Sequence, residues 1–262
     1  MQTSIDISWL QLGLFSLLLV IPITINAYFK LNINNSTLIA FIRLFLQLLL
    51  VGLYLEYLFQ LDSILLNTAW LVLMITVGSY SIITKSGLNN RYLFLANIIA
   101  LSCALLPILL VLSLQIIQPA PWYSARYIIP LAGMLLGNSL SANIVALQHL
   151  FSAFKQQQDE YEGALALGAS PYQAAFPFLQ QSLKKAQAPI LATIATTGIV
   201  SLPGMMTGQI LGGVTPMIAI KYQLLIFIAM LIMLSVSLTL TLLLTLHFSL
   251  AKNGLIKIKL TN

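Results

Sequence analysis

Seven apolar stretches, each about as long as a hydrocarbon crossing of roughly 20 residues, alternate with short polar links along this chain of 262 residues. They run from about Trp9 to Phe29, Leu38 to Phe59, Ile64 to Thr84, Tyr92 to Leu114 and Tyr127 to Leu150. A sixth covers about Ala186 to Leu202 and is interrupted at Pro203–Gly204, and a seventh covers Tyr222 to Phe248. Apolar and polar residues do not alternate in strand fashion, so the pattern predicts helices, the spanning form that satisfies its own backbone in lipid.

Composition places those helices in a membrane. Hydrophobic residues make up 59% of the chain and charged residues 7%, with a mean hydropathy of +0.96. A soluble domain carries about 25% charged residues, so a water-facing fold is excluded. The expectation is an all-α polytopic membrane protein forming one transmembrane domain over residues 1–262. The first stretch does not read as a cleaved leader, because nothing basic precedes it, Asp6 does, and its length suits a spanning helix. The lone cysteine, Cys103, excludes an internal disulfide and reads as a small buried apolar group.

Charge sets the expected orientation. With the amino terminus outside, nine basic residues (Lys30, Lys85, Arg91, Lys155, Lys184, Lys185, Lys252, Lys257, Lys259) face the cytoplasm, two (Arg126, Lys221) face outward, and Arg43 lies in the membrane. Basic residues gather on the cytoplasmic side, so the carboxyl terminus is expected inside. The net charge of +6 is then a topological signal. A nucleic-acid partner is not expected, since the basic loops lack aromatic stacking positions.

This topology puts the longest hydrophilic connection, about residues 151–185, in the cytoplasm. Asp159, Glu160 and Glu162, half of the six acidic residues, sit there ahead of Gly163-Ala-Leu-Ala-Leu-Gly168. Ala164 to Leu167 favour helix, Gly168 suits a left-handed stop, and Ser170-Pro171 starts a new helix. The segment resembles the cytoplasmic coupling loop of ABC-transporter permeases, with Glu160, Glu162, Ala164 and Gly168 as the residues expected to meet an ATPase; the bland reading is an interfacial helix. Gly163 to Ser170 also mimics a phosphate-binding loop, but Ala169 occupies the lysine position and no strand precedes it. Nucleotide hydrolysis is therefore not expected on this chain.

Four segments together resemble the FetB-type permeases, a family that includes plant aluminium-tolerance permeases. They are Arg43-x-x-x-Gln47-Leu48-x-x-x-Gly52, Gly133-Met134-x-x-Gly137-Asn138, Glu162 to Ala169, and Leu202-Pro203-Gly204-Met205-Met206-Thr207-Gly208-Gln209-Ile210-Leu211-Gly212-Gly213 with Pro216 and Tyr222-Gln223. Against the broader importer pattern, Gly163 replaces the usual second alanine and no Leu-Pro follows. The resemblance implies the permease of a metal exporter, iron first, paired with a separate cytoplasmic ATPase. One coupling loop per chain, set against two nucleotide sites per machine, implies a homodimer with two ATPase subunits. ATP and magnesium would then belong to the partner, and this chain is expected to carry no cofactor.

Individual residues carry two readings each. Gly204, Gly208 and Gly212 repeat every four positions, which lets helix backbones approach closely in lipid, within the bundle or across a dimer seam. The break at Pro203–Gly204 can also free backbone to line a cavity, with Met205, Met206 and Gln209 presented to a translocation path. Thioethers are soft donors that suit Cu(I) better than Fe(II), so no metal ligand set is assigned. Arg43 and Gln47 share a helix face, and an intramembrane charge points to a cavity or snorkels. Asn138 and Gln47 are expected to bond across helices or to line a path. Glu56 and Asp62, near the outer end, read as a solvated helix end or a receiving point for an exported cation. His149 and His247 lack a partner at metal-ligand spacing and read as interfacial. A carrier working without ATP is the alternative class, although no clear repeat appears; intramembrane hydrolase motifs are missing.

Overall fold

The computed structural model describes residues 6–88 and 90–249; the expected cytoplasmic carboxyl terminus, with Lys252, Lys257 and Lys259, lies outside them. Among the described residues the fold is helical, relieved only by an isolated bridge between Thr197 and Ser201. The helices are α1 (Trp9–Ser16), α2 (Val20–Tyr28), α3 (Asn34–Leu61), α4 (Ile64–Lys85), α5 (Arg91–Val111), α6 (Ala125–Gln156), α7 (Gln158–Ala166), α8 (Pro171–Thr196), α9 (Gly204–Leu211) and α10 (Pro216–Ser249). Helices α1 and α2 form one span through a tight turn at Leu17–Leu19. Pro22 explains that turn: it has no N–H for the Leu18 carbonyl, and its ring crowds the preceding turn.

Among the described residues six helical segments are long and apolar enough to cross a membrane, against seven expected stretches. The difference is the sixth. Its helix, α8, begins at Pro171, and its first half, through Lys184 and Lys185, is too polar for lipid. Only Ala186–Thr196 remains as apolar helix, about 16 Å at 1.5 Å per residue, half a hydrocarbon layer.

The chain nevertheless returns from one end of the bundle to the other through this region. Asn67 donates to the Tyr123 carbonyl (2.8 Å), and Gln148 donates to the Lys85 carbonyl (2.9 Å), so α4 and α6 run parallel. Asn143 of α6 donates to Ser237 Oγ of α10 (3.2 Å), at similar distances from the two helix starts. Tyr92, opening α5, stacks on Phe248, closing α10. Helices α6 and α10 therefore start at the same end, and α7, α8, the link and α9 must carry the chain back between them. The sixth pass is broken rather than missing.

Helices α4, α5, α6 and α10 form the core, joined by α8. Apolar area alone does not hold helices together in lipid, where tails are as apolar as leucine; small residues and buried polar pairs do. Ala96, Ala100, Ala104, Ala132 and Ala146 are buried at these contacts. Across them Asn97 donates to Ser79 Oγ (3.2 Å), and Thr241 donates to Asn97 Oδ1 (2.9 Å). At the α3–α4 turn, Asp62 Oδ1 accepts the Ala125 N–H (2.7 Å) and caps α6 across the fold.

The first two spans stand apart. No residue of α1 or α2 is buried, and in α3 only Leu58 is. Cys103, expected inside, is exposed on α5: its neighbours Ala100 and Ala104 take the core face.

Candidate functional site

Three regions hold the residues singled out in the sequence. Beyond the level where His149 Nδ1 meets Ser182 Oγ (3.1 Å), the end of α6, all of α7 and the start of α8 continue as a polar extension. Counting about twelve residues from Pro171 to Ser182 at 1.5 Å each, it stands some 18 Å past that level.

Helix α7 caps the extension and ends as the sequence predicts. Gly168 adopts φ +93°, its N–H reaches the Leu165 carbonyl (3.0 Å), and the Ala169 N–H reaches that of Ala164 (3.0 Å). This paired bonding closes a helix on a left-handed residue. Ser170 Oγ then accepts from Gln173 N while Gln173 Oε1 accepts from Ser170 N, with Pro171 in the first turn, opening α8.

The two faces of α7 differ. Asp159, Glu160, Glu162 and Ala166 are exposed, and Gln158 Nε2 donates to Glu162 Oε1 (2.6 Å). Acidic groups in the first turn also complement the helix dipole. On the other face Tyr161 is 2% exposed. Its ring centroid lies 5.2 Å from Phe154 of α6 and 6.3 Å from Phe178 of α8, which are themselves 4.9 Å apart. Burial pushes the Tyr161 phenol up from its ordinary pKa. Ala164 is half-buried, while Leu167, just after the helix, is 91% exposed. Neither Tyr161 nor Leu167 stands out in the sequence as a candidate. The available signal is a lone aromatic in an acidic helix and a leucine next to the stopping glycine.

The second region is the broken pass. Helix α8 ends at Thr196, Gly198 turns the chain at φ +89°, and Pro203 caps α9. Helix α9 packs on α10. Gly204 and Gly208 face open space, and a Cβ at Gly212 would meet only its own helix, the Gly208 and Gln209 carbonyls at 3.2 and 3.4 Å. Within one chain the glycine stripe therefore packs against no neighbouring helix. Met205 and Gln209, one turn apart, occupy a different face, with Met205 against the core. Met206 is half-buried beside them.

The third region is α3. Arg43 and Gln47 are exposed there. The helix starts four residues before the expected span, so Arg43 lies about 13 Å along it. Toward the carboxyl end of α3, Glu56 joins Trp9, Leu12, Phe45, Leu48, Leu49, Gly52 and Leu53 around a groove of about 420 Å³ between α1 and α3. Asn138 is also exposed, and its amide donates to the Met134 carbonyl of its own helix (2.8 Å) rather than across helices. The cross-helix bond belongs to Asn143, five residues on. Helix α3 packs on α2 and α6, and α9 on α10, so Arg43 and Gln47 are not brought together with Met205, Met206 and Gln209. Among the described residues no three His, Cys, Asp or Glu side chains gather into a metal-holding group.

Comparison with known proteins agrees with this architecture. The profile of an uncharacterised protein family, UPF0014, matches residues 9–250. A UPF0014 membrane protein of Synechocystis is 35% identical over 87% of this chain and 88% of its own length. The protein ALUMINUM SENSITIVE 3 of Arabidopsis thaliana is 32% identical over 75% of this chain and 71% of its own. The probable iron export permease protein FetB of Escherichia coli is 30% identical over 82% of each. No solved structure matches.

Proposed function

Because this chain belongs to the UPF0014 family and is a multi-pass membrane protein, we propose that it is the permease subunit of an ABC exporter, driven by ATP hydrolysed on a separate subunit. The observation that carries this reading is the polar extension tipped by α7. A helix exposing Asp159, Glu160, Glu162 and Leu167, and anchored through Tyr161 to both flanking helices, is suited to receive a push and pass it into α6 and α8. The end that bears it also bears Lys85, Arg91 and Lys155, which favours the cytoplasmic side.

The cargo proposed is a metal cation, with iron first, in keeping with the name of the Escherichia coli relative. Two copies of this chain, each a single domain, would work with two ATPase subunits that hold ATP and magnesium. The open glycine face of α9 and the unburied α3 face, with Arg43 and Gln47, are the surfaces offered to the second copy. Gly204, Gly208 and Gly212 would then pack between copies.

The test is co-reconstitution with a candidate ATPase. Glu162→Lys should insert normally and lose transport-coupled hydrolysis by about tenfold or more, the scale of losing a central interface contact of at least 1.4 kcal/mol. Unchanged coupling would refute the assignment of α7.

A further inference from the structure

The groove between α1 and α3 has Leu12, Phe45, Leu48 and Leu49 in its walls, with Trp9 and Glu56 toward one end. Helix α2 packs on α3, so the two arms of the hairpin meet at the α2–α3 turn and part toward Trp9 and Glu56. From Phe45 to Glu56 the groove follows α3 for about 17 Å at 1.5 Å per residue. That is half of a hydrocarbon layer of about 30 Å, the depth of one leaflet. Spread over this length, a volume of about 420 Å³ leaves a mean section of roughly 25 Å². One extended hydrocarbon chain fits such a section; a helix about 10–12 Å across does not. Glu56 is the one charged residue in the lining, and among the described residues no hydrogen bond or ion pair reaches its carboxylate. Arg126 lies over the Phe59 ring instead, 6.0 Å from its centroid. A carboxylate beside hydrocarbon is costly until a cation meets it. Trp9, 68% exposed at the same end, is a side chain that gathers at the headgroup level.

We propose that this groove binds a phospholipid with a primary ammonium headgroup, its acyl chain against Leu12, Phe45 and Leu48 and its ammonium on the Glu56 carboxylate. A primary ammonium brings three N–H donors, and hydrogen bonds between charged groups are about twice as strong as neutral ones. A quaternary ammonium offers charge without a donor, and an anionic headgroup without an amine is repelled. The lipid also explains how a hairpin arm with no buried residue in α1 or α2 stays beside α3: it fills the wedge between them. At about 100° per residue, Arg43 and Gln47 lie roughly opposite the groove on α3. A lipid here therefore leaves their face free for a second copy, and the assignment does not depend on the permease reading.

The experiment uses Trp9 as its reporter. The chain has three tryptophans, so Trp70→Phe with Trp122→Phe leaves Trp9 alone. The full chain is placed in phosphatidylcholine vesicles, and lipids brominated on the acyl chain are titrated in to quench its fluorescence. Brominated phosphatidylethanolamine should half-quench Trp9 at about threefold lower mole fraction than brominated phosphatidylcholine, the scale of one partly solvated ion pair. It should outdo brominated phosphatidylglycerol by more. Glu56→Gln should bring the three lipids to parity, and Glu56→Lys should put phosphatidylglycerol first. A Cβ at Gly52 would meet nothing within 4 Å, so Gly52→Leu should enter the groove without strain and weaken quenching by all three lipids. Native mass spectrometry of the wild-type chain reads the same preference as retained lipid, and serves if the tryptophan variants fail to fold. Equal quenching by the three lipids in the parent chain overturns the site, as does a preference that survives Glu56→Gln. Trp9 shielded from every brominated lipid would give the groove to a protein segment and also overturn it.

Discussion

Tyr161 and Leu167 divide the work of the α7 tip. One fixes the helix; the other projects from it. Truncating a buried aromatic costs about 3–5 kcal/mol, and here the loss falls on the Phe154–Tyr161–Phe178 cluster outside the membrane core. Tyr161→Ala should therefore loosen the extension, seen as faster amide exchange over residues 154–178, while the spans remain protected. Leu167→Asp removes a side chain that is 91% exposed and should leave thermal stability within about 0.5 kcal/mol. On the permease reading proposed above, its effect falls on partner binding, measured as a loss of ATPase co-purification. If Leu167→Asp lowers stability and spares binding, the division of roles is wrong.

Among the elements, a pair of asparagines separates core glue from exposed surface. Asn143 is fully buried and bonded to Ser237 of α10, whereas Asn138 is exposed and bonded to its own helix. Asn143→Leu should cost about 1 kcal/mol, plus strain from a bulky branched side chain. Asn138→Leu should be neutral or stabilising. Thermal denaturation in detergent reads both.

The sequence pattern shows spans well and partners poorly. Apolar runs reveal α1 to α6 and α10 because lipid imposes length and composition on a crossing segment. Gly168 and Ser170-Pro171 reveal the ends of α7 and α8 because cap chemistry is local. Asn138 and Asn143 look alike in sequence, since which helix face meets α10 is a tertiary fact. The same holds for Cys103, which a two-residue shift from Leu101 turns toward the outside. Met205 and Gln209 were recognisable as candidates beside the Pro203–Gly204 break. Gln223 shows in the sequence only as part of the Tyr222-Gln223 motif, because its burial depends on how α10 packs. The sixth span blurred because α8 joins a polar protrusion to an apolar half-crossing in one helix.

For the whole molecule, the arrangement is a packed unit of α4, α5, α6 and α10 with lightly attached α1–α3 and a broken α8–α9 pass. Orientation is open to direct measurement. In a Cys103→Ala background, Leu167→Cys should be labelled only from the cytoplasm and Trp122→Cys only from outside. Labelling in the opposite sense would invert the topology and remove α7 from reach of a cytosolic ATPase. The most direct test of the account as a whole is metal efflux from proteoliposomes holding this chain, with and without a candidate ATPase and ATP. Energy entering through α7 predicts uphill metal movement only when both are present. Uphill movement by this chain alone would contradict it.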